Sequence, residues 1–264
     1  MEMRSTATGY VRGLYIVVKR DLDRFWKYKW WLAGLITMNL TDLFIFALIF
    51  NNIVNRAYID NYLLFLAPGI AAIATFASAF SIGREVGVEV RRGYTQYLLS
   101  LPLTRMQLSI GRILGGAVRG LIYQMPFIAL LFILHEKLPT LSEAGILAVT
   151  SSMLTISMSS LSIVISTAVR SFDLQATMRS FTYFVLFFFS NVFYPDALIS
   201  RYFPHALYIV ISNNPVSIAT SIYRNIFTQN TPAEDSVILL LKLAIWCIVL
   251  LIMGSIFYLR NLTH

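Results

Sequence analysis

The chain has 264 residues, of which 57% are hydrophobic and only 13% are charged, and its net charge is +8. Soluble domains of this size usually contain about 25% charged residues, whereas the mean hydropathy here is +0.69. This composition excludes a water-soluble globule and predicts an all-α polytopic membrane protein. The apolar runs are continuous and do not alternate over about ten residues, which argues against a transmembrane β-barrel.

The excess of positive charge would suggest nucleic-acid binding in a soluble protein. Membrane proteins instead concentrate Lys and Arg in their cytoplasmic loops, so we expect no nucleic-acid partner. Cys247 is the single cysteine, which excludes a disulfide framework and a cysteine-ligated metal site within one chain. The sequence before Trp30 has no apolar core of the signal-peptide type, and we expect the first membrane helix to act as the insertion signal.

Residues 1–29 predict an amphipathic helix that lies on the inner membrane surface. Trp26 and Trp30 are typical of the interface, where an indole ring stays apolar while its N–H stays hydrated. The alternative is a basic flank that only sets the topology. The predicted apolar face consists of Tyr10, Leu14, Val18, Leu22 and Phe25.

Six apolar segments approach or exceed the roughly 20 residues that a membrane-spanning helix needs. They cover about 30–54, 62–82, a stretch from between 106 and 113 to about 134, 144–169, 180–194 and 237–259. Residues 195–235 are polar and broken by prolines, and they predict one or two re-entrant half-helices, which require protein or a water-filled cavity around them.

The distribution of positive charge predicts the orientation. Residues 1–29, 83–112, 170–179 and the C-terminal tail hold 15 Lys and Arg residues, whereas the remaining loops together with Lys242 hold five. The excess marks the cytoplasmic side. We therefore expect both termini and the loop 83–112 to be cytoplasmic.

The loop 83–112 is the densest cluster of charge between two spans. Gly93 can break a helix, and Pro102 ends a segment because the residue before a proline is pushed out of the α conformation. The pattern predicts a short helix on the cytoplasmic face, with an apolar side that includes Leu98 and with charges outward; the alternative is an ordinary charged loop. Its charged residues are Arg84, Glu85, Glu89, Arg91, Arg92, Arg105 and Arg112.

This loop resembles the one between the second and third helices of ABC-2 type transporter permeases. Arg112 stands where that family usually has lysine, and Tyr94 separates Gly93 from the threonine that commonly follows it directly. Residues 190–195, 214–215 and 222–224 resemble the family's stretch after its fifth helix, so the likeness covers nearly the whole chain. The motifs are Arg84-Glu85, Glu89, Arg91-Arg92-Gly93, Leu98-Leu99, Pro102-Leu103, Arg105 and Gly111-Arg112-Ile113-Leu114.

The resemblance implies a single transmembrane domain over 1–264, in a homodimer whose halves each dock to a cytoplasmic ATP-binding subunit. It also implies a multi-pass protein of a prokaryotic plasma membrane that exports a lipid-like, drug-like or glycan substrate. The chain has no Gly-x-x-x-x-Gly-Lys-Ser/Thr loop, so ATP and Mg²⁺ would bind the partner subunit and no cofactor would bind here. The predicted coupling residues are Glu85, Glu89, Arg91, Arg92, Gly93 and Leu98.

Asp42 and Arg119 are the charges deepest in the apolar spans. Such a charge costs about 2.5–3.5 kcal/mol at the middle of a bilayer and usually finds a partner. Since the two depths could match, we hypothesise an Asp42–Arg119 ion pair. The same pair suggests an alternative function, an ion- or proton-coupled transporter or channel. A membrane enzyme would need clustered His, Asp, Glu or Cys residues, which the spans almost lack.

Other intramembrane residues leave alternatives open. Ser159 and Ser162 belong to a polar stripe that either packs helices together or lines a polar path. The small-residue spacings at 111–115 and 116–120 allow close helix approach within one subunit or between two. Further candidates for the substrate path are Asn39, Phe44, Phe76 and Phe187.

Overall fold

The computed structural model describes residues 7–53, 59–169, 171–228 and 233–262, and all regular elements in these ranges are α-helices, as predicted. Parts of the predicted interfacial segment (1–6), basic turn (170) and re-entrant region (229–232) lie outside the described residues. The helices are α1 Ala7–Lys27, α2 Lys29–Ile53, α3 Tyr62–Ala79, α4 Ser81–Arg91, α5 Tyr94–Ser100, α6 Arg105–His135, α7 Leu141–Ala168, α8 Phe172–Phe188, α9 Asp196–Tyr202, α10 His205–Asn213, α11 Pro215–Phe227 and α12 Ala233–Asn261.

Within the described ranges, five stretches are long and apolar enough to cross a membrane, which confirms the membrane-protein class. The sixth predicted span, 180–194, overlaps α8, which ends at Phe188 and has 17 residues. The count of six spans therefore stays a prediction. The five stretches are Leu32–Asn51, Tyr62–Arg91, Arg105–His135, Leu141–Ala168 and Ser236–Asn261.

Side-chain caps fix where the central helices begin. Thr104 and Gln107 form a reciprocal capping box at the start of α6, and Thr140 and Glu143 form another at the start of α7. Asn61 accepts hydrogen bonds from the first turn of α3. These caps satisfy backbone N–H groups that have no partner inside the helix. The position at which each of these helices starts is therefore determined by residues close to it in sequence.

The predicted break at Gly93 is present. Its φ of 69° lies in the left-handed region, which glycine adopts without steric cost, and it separates α4 from α5. α4 itself continues the line of α3 after Phe80. The charged loop therefore starts as an extension of a membrane helix.

α1 packs beside the first half of α6, and the two helices run in the same direction. Gln107 donates to the carbonyl of Tyr10 over 3.1 Å, while Cβ atoms added at Gly111 and Gly115 would lie 2.8 Å from Val17 and 2.7 Å from Asp21. The buried face of α1 is Gly13, Val17, Asp21 and Phe25. Apart from Phe25, the predicted apolar face is displaced by one residue from this stripe, and its members Leu14, Val18 and Leu22 are half-buried beside it.

The glycine spacings on α6 serve contacts within this chain. A Cβ at Gly116 would lie 2.2 Å from the Ser159 Oγ of α7, and a Cβ at Gly120 would lie 2.7 Å from Thr155. Gly111 and Gly115 meet α1 in the same way. These approaches support packing within one subunit, one of the two alternatives.

α11 rises from a turn beside the middle of α12. The Trp246 indole donates to the carbonyl of Asn213 over 2.8 Å, and Asn214 donates to Leu186 and Phe189 at the end of α8. At its other end, the Phe227 ring lies 5.4 Å from His135, the last residue of α6. The turn thus lies part-way along the bundle, and the re-entrant arrangement stays a prediction.

Candidate functional site

A buried network of charges joins α1, α4 and α6. The Arg112 guanidinium of α6 is fully buried, and it donates to Asp21 of α1 over 2.5 Å and to Glu89 of α4. Arg24 of α1 donates to the same Glu89 carboxylate over 2.8 Å, and Arg20 lies 3.7 Å from it. Ion pairs therefore fix α1, α4 and α6 to one another.

A second buried arginine extends this network. Arg119 donates to the Glu85 carboxylate of α4 over 2.6 Å and to the backbone carbonyl of Asp21. Its guanidinium also lies 5.6 Å from the Phe25 ring centroid, within the range of a cation–π contact. We call Asp21, Glu85, Glu89, Arg112 and Arg119 the charge network.

The hypothesised Asp42–Arg119 pair was wrong, because Arg119 pairs with Glu85. Asn39 of α2 donates to Tyr123 of α6 over 2.6 Å, which fixes the relative heights of these two parallel helices. Asp42 is consequently level with about residue 126, roughly 10 Å beyond Arg119 at 1.5 Å per residue. α6 is 31 residues long, about 46 Å, and it exceeds a hydrocarbon core of about 30 Å, so its first turns can lie outside that core.

The predicted coupling residues divide into buried and exposed groups. The expectation of outward charges was wrong for Glu89, which is 7% exposed, and for the half-buried Glu85. Both are held by the arginines of α6. Arg92 and Gly93 are exposed at the end of α4, whereas Leu98 is buried on the apolar side of α5, as predicted.

Arg91 is held by α8 although much of its surface is open. It donates to Gln175 over 2.6 Å and its guanidinium lies 5.1 Å from the Phe172 ring centroid. Gln175 is buried and donates to the Ser166 and Val169 carbonyls at the end of α7. Arg91 therefore links the charged loop to the start of α8.

A cleft of about 1210 Å³ opens between α1, α4 and α5, and it borders the charge network at Glu85, Glu89 and Arg119. Its lining includes six cationic side chains and only two carboxylates, Glu85 and Glu89. Among the described residues, Lys27, Arg84 and Arg92 of this lining have no ion-pair partner. We call it the cationic cleft. Its rim also carries Tyr94 and Tyr97, which are exposed.

Sequence reasoning missed Asp21. It is completely buried, although an acidic residue on a basic, amphipathic segment is normally assigned to its solvated face. A signal was available, because Val17, Asp21 and Phe25 recur at four-residue spacing and place Asp21 inside an apolar stripe. Arg112 and Arg119, the two buried arginines of α6, need acceptors of this kind.

A second cluster lies between α2, α3 and α8. The Phe76 ring lies 5.1 Å from Tyr183, Tyr183 stacks on Phe187 at 5.2 Å, and Phe187 lies 4.8 Å from Phe193. The Phe193 ring in turn lies 5.6 Å from Phe46 of α2. We call these five rings, together with Asp42, the aromatic lane.

Some of the predicted path residues belong to the aromatic lane, and others lie elsewhere. Phe76 and Phe187 belong to it, and Asn39 lies one turn before Asp42 on the same helix. Phe44 is 44% exposed on another side of α2. Ser159 and Ser162 are fully buried and donate to the backbone carbonyls of Ile113 and Phe80, which supports their packing role.

Arg224, which belongs to one of the family-like motifs but had no predicted role, is buried and holds α11 in place. Arg224 donates to the carbonyls of Phe65, Asn191 and Val192 over 3.2, 2.8 and 2.8 Å. The guanidinium fork thus satisfies backbone acceptors where α3, α8 and α11 meet. In the described ranges, no group of three His, Cys, Asp or Glu side chains is placed to hold a metal ion.

Comparison with known proteins gives one family. The sequence model of the ABC-2 type transporter family matches residues 12–228. This range contains the charge network, the cationic cleft and the aromatic lane. A comparison with curated proteins finds no match.

Proposed function

Because the chain belongs to the ABC-2 type transporter family, we propose that it is the membrane-spanning subunit of an ATP-driven exporter, powered by a separate cytoplasmic ATP-binding subunit. Family membership makes the chain a transport permease that is not itself catalytic, and it implies an ATP-binding partner in general terms. The loop motifs led to the same family.

The cationic cleft is the observation that carries the docking proposal. Its cations outnumber its carboxylates by six to two, and both carboxylates are occupied by arginines of this chain. An acidic surface of a partner would complement the remaining charge, since opposite potentials steer association and fix orientation. Arg84, Arg92 and Lys27 are exposed and have no described ion partner, so they are the residues that a partner reaches first.

Ion pairs beneath the cleft give docking a mechanical consequence. A partner that moves α4 and α5 pulls on Glu89 and Glu85, and these carboxylates hold Arg112 and Arg119 of α6. Breaking a buried ion pair is expensive. The loop and the first half of α6 should therefore move as one unit, which carries motion from the cytoplasm into the bundle.

The remaining parts of the proposal concern the assembly. ATP and Mg²⁺ would bind the partner subunit, and two copies of this chain would form the substrate path of a plasma-membrane exporter with cytoplasmic termini. Much of the spanning stretch on α2 is unburied in one copy, since only 17% of its most apolar part is buried. Exposed rings also line α8, including Phe181 and Phe184. Such surfaces suit both lipid and a second copy.

The test is purification of the tagged full chain from its native membrane, followed by an assay of ATP hydrolysis. We expect a co-purified polypeptide that contains a phosphate-binding loop, together with ATPase activity. The double variant R84E/R92E should reduce the bound ATPase about tenfold, equivalent to about 1.4 kcal/mol, because it replaces two attractive charges by repulsive ones.

R201E is the matched control, since Arg201 is an exposed arginine on α9, far along the chain from the cleft. It should retain the wild-type amount of ATPase. Reversal of Glu89 is unsuitable as a docking test, because Glu89 is buried against Arg112 and its loss would damage the fold. Wild-type ATPase binding by R84E/R92E would refute docking at the cleft, and a purified chain with no ATP-hydrolysing partner would refute the proposed function.

A further inference from the structure

Asp42 is an intramembrane carboxylate to which the structure gives no cation. It lies near the middle of the candidate span Leu32–Asn51 and is half-buried. The described residues offer it neither an ion pair nor a hydrogen bond. Arg119 and Arg224 are already occupied, Arg119 by Glu85 and Arg224 by backbone carbonyls. An ionisable group at such depth generally pairs with a partner or faces a polar path.

Among the described residues, aromatic rings neighbour Asp42, and Arg179, one turn before Tyr183 on α8, donates to Gln175. Phe46 follows it by one helical turn, so the two side chains share a face of α2. Across from α2, Tyr183 of α8 joins the same group of rings, because it stacks on Phe187 and Phe187 contacts Phe193, the neighbour of Phe46. A cation near Asp42 would therefore also meet the faces of aromatic rings, which attract cations within about 6 Å.

The rings continue in both directions from Asp42. On one side, Phe76 stacks on Phe80 at 4.1 Å, where α3 passes into α4. On the other side, Phe46 lies 6.2 Å from Phe50, and Phe50 lies 5.4 Å from Tyr62, the first residue of α3. The lane and these neighbouring rings thus run the whole length of α3, a helix of 18 residues.

We propose that the aromatic lane binds a lipophilic monovalent cation, with the positive charge beside Asp42 and the apolar body on the rings of α3 and α8. This inference rests on the proposed function, because it names the chemical class of the exported substrate. A neutral or anionic molecule of the same size would lose the carboxylate contact, and an anion would be repelled by it. The carboxylate selects charge while the rings accept many apolar shapes.

The test uses the full chain alone, in phosphatidylcholine nanodiscs, with two probes of nearly equal shape. Tetraphenylphosphonium is a lipophilic cation, and tetraphenylborate is the corresponding anion. We expect saturable binding of the cation above that of empty nanodiscs, and no saturable binding of the anion. D42N should weaken binding of tetraphenylphosphonium at least about tenfold, whereas D42E should retain the preference for the cation.

Two matched controls separate the lane from general effects of charge or aromatic content. D173N removes an exposed carboxylate from the first turn of α8, and F44A removes an exposed ring from another side of α2. Both should bind tetraphenylphosphonium like the wild type. Should D42N be poorly folded, Y183A supplies the second test, since it removes the ring across from Asp42 and should weaken the cation in the same way.

Several results would overturn the proposal. Equal binding of the two probes would remove the role of charge. Undiminished binding of the cation by D42N would show that Asp42 is satisfied otherwise, for instance by a cation of a second copy. The two proposals can fail separately. If an ATPase co-purifies with the chain but the chain does not bind the cation, only the proposed cation site is refuted. If the chain binds the cation but no ATPase co-purifies, only the proposed ATP-driven function is refuted.

Discussion

Arg112 shows how one residue holds three helices. It is fully buried and its two carboxylate partners come from α1 and α4, so neither partner is a neighbour in sequence. Arg112 stabilises the fold because, without it, two carboxylates would be left without their buried partner. Buried charges that lose a partner destabilise a protein far more than the pair stabilises it.

We therefore expect R112Q to destabilise the membrane domain by about 3–5 kcal/mol. The measurement is the midpoint of unfolding of the purified chain in mixed detergent and SDS micelles. R105Q is the control on the same helix, because Arg105 is exposed in the first turn of α6, and it should stay within about 0.5 kcal/mol of the wild type. Equal midpoints for the two variants would contradict a structural role of the network.

At the scale of elements, the spacing of α6 from its neighbours depends on glycine. Gly116 faces Ser159 of α7 and Ile82 at the α3–α4 junction, where a Cβ would lie 2.2 and 2.7 Å away from their atoms. Gly145 on α7 has no atom within 4 Å of such a Cβ. The same substitution should thus have opposite effects at the two sites.

G116A should lower stability by about 1–3 kcal/mol, because overpacking displaces a helix. G145A should raise stability by about 0.5–1 kcal/mol, because alanine loses less backbone entropy than glycine within a helix. Unfolding in SDS measures both variants against the wild type. If G116A is as stable as the wild type, α6 and α7 are farther apart at this position than the structure shows.

At the scale of the whole molecule, the charged elements gather at one end of the bundle. α1, the charged loop and the end of α12 meet there, since Asn261 donates to Thr167 at the end of α7 over 2.8 Å. Leu138, between α6 and α7, lies at the opposite end and is highly exposed. This arrangement supports the orientation expected from the distribution of Lys and Arg.

The orientation is testable with single cysteines in a C247S background. L138C should react with a membrane-impermeant maleimide added to intact cells, because the proposed topology places residue 138 on the outer side. Y97C, at the exposed rim of the cationic cleft, should react only after the cells are permeabilised. Labelling of Y97C in intact cells, with L138C protected, would reverse the proposed topology and place the cleft outside the cytoplasm.

Local signals predicted much of the candidate site. Gly93 and Pro102 correctly indicated the boundaries of the short helix in the charged loop, because backbone preferences act within a few residues. The expected outward direction of the loop's charges was wrong for Glu89 of α4, since the helix face that packs depends on a partner helix elsewhere in the chain. Phe76 and Phe187 were proposed for a path on composition alone, and the structure brings them into one lane with Asp42.

By itself, the sequence determined the class of this protein: the length and apolarity of its helices and the order of its loop motifs identify a membrane permease. Tertiary structure decided which charges meet. Asp42 and Arg119 were compatible in depth only while the start of the third span was unknown, and the pairing of Asn39 with Tyr123 fixed the heights of α2 and α6. Ion pairing depends on ångström-scale distances between distant segments, and residue spacing along one chain carries no information about them.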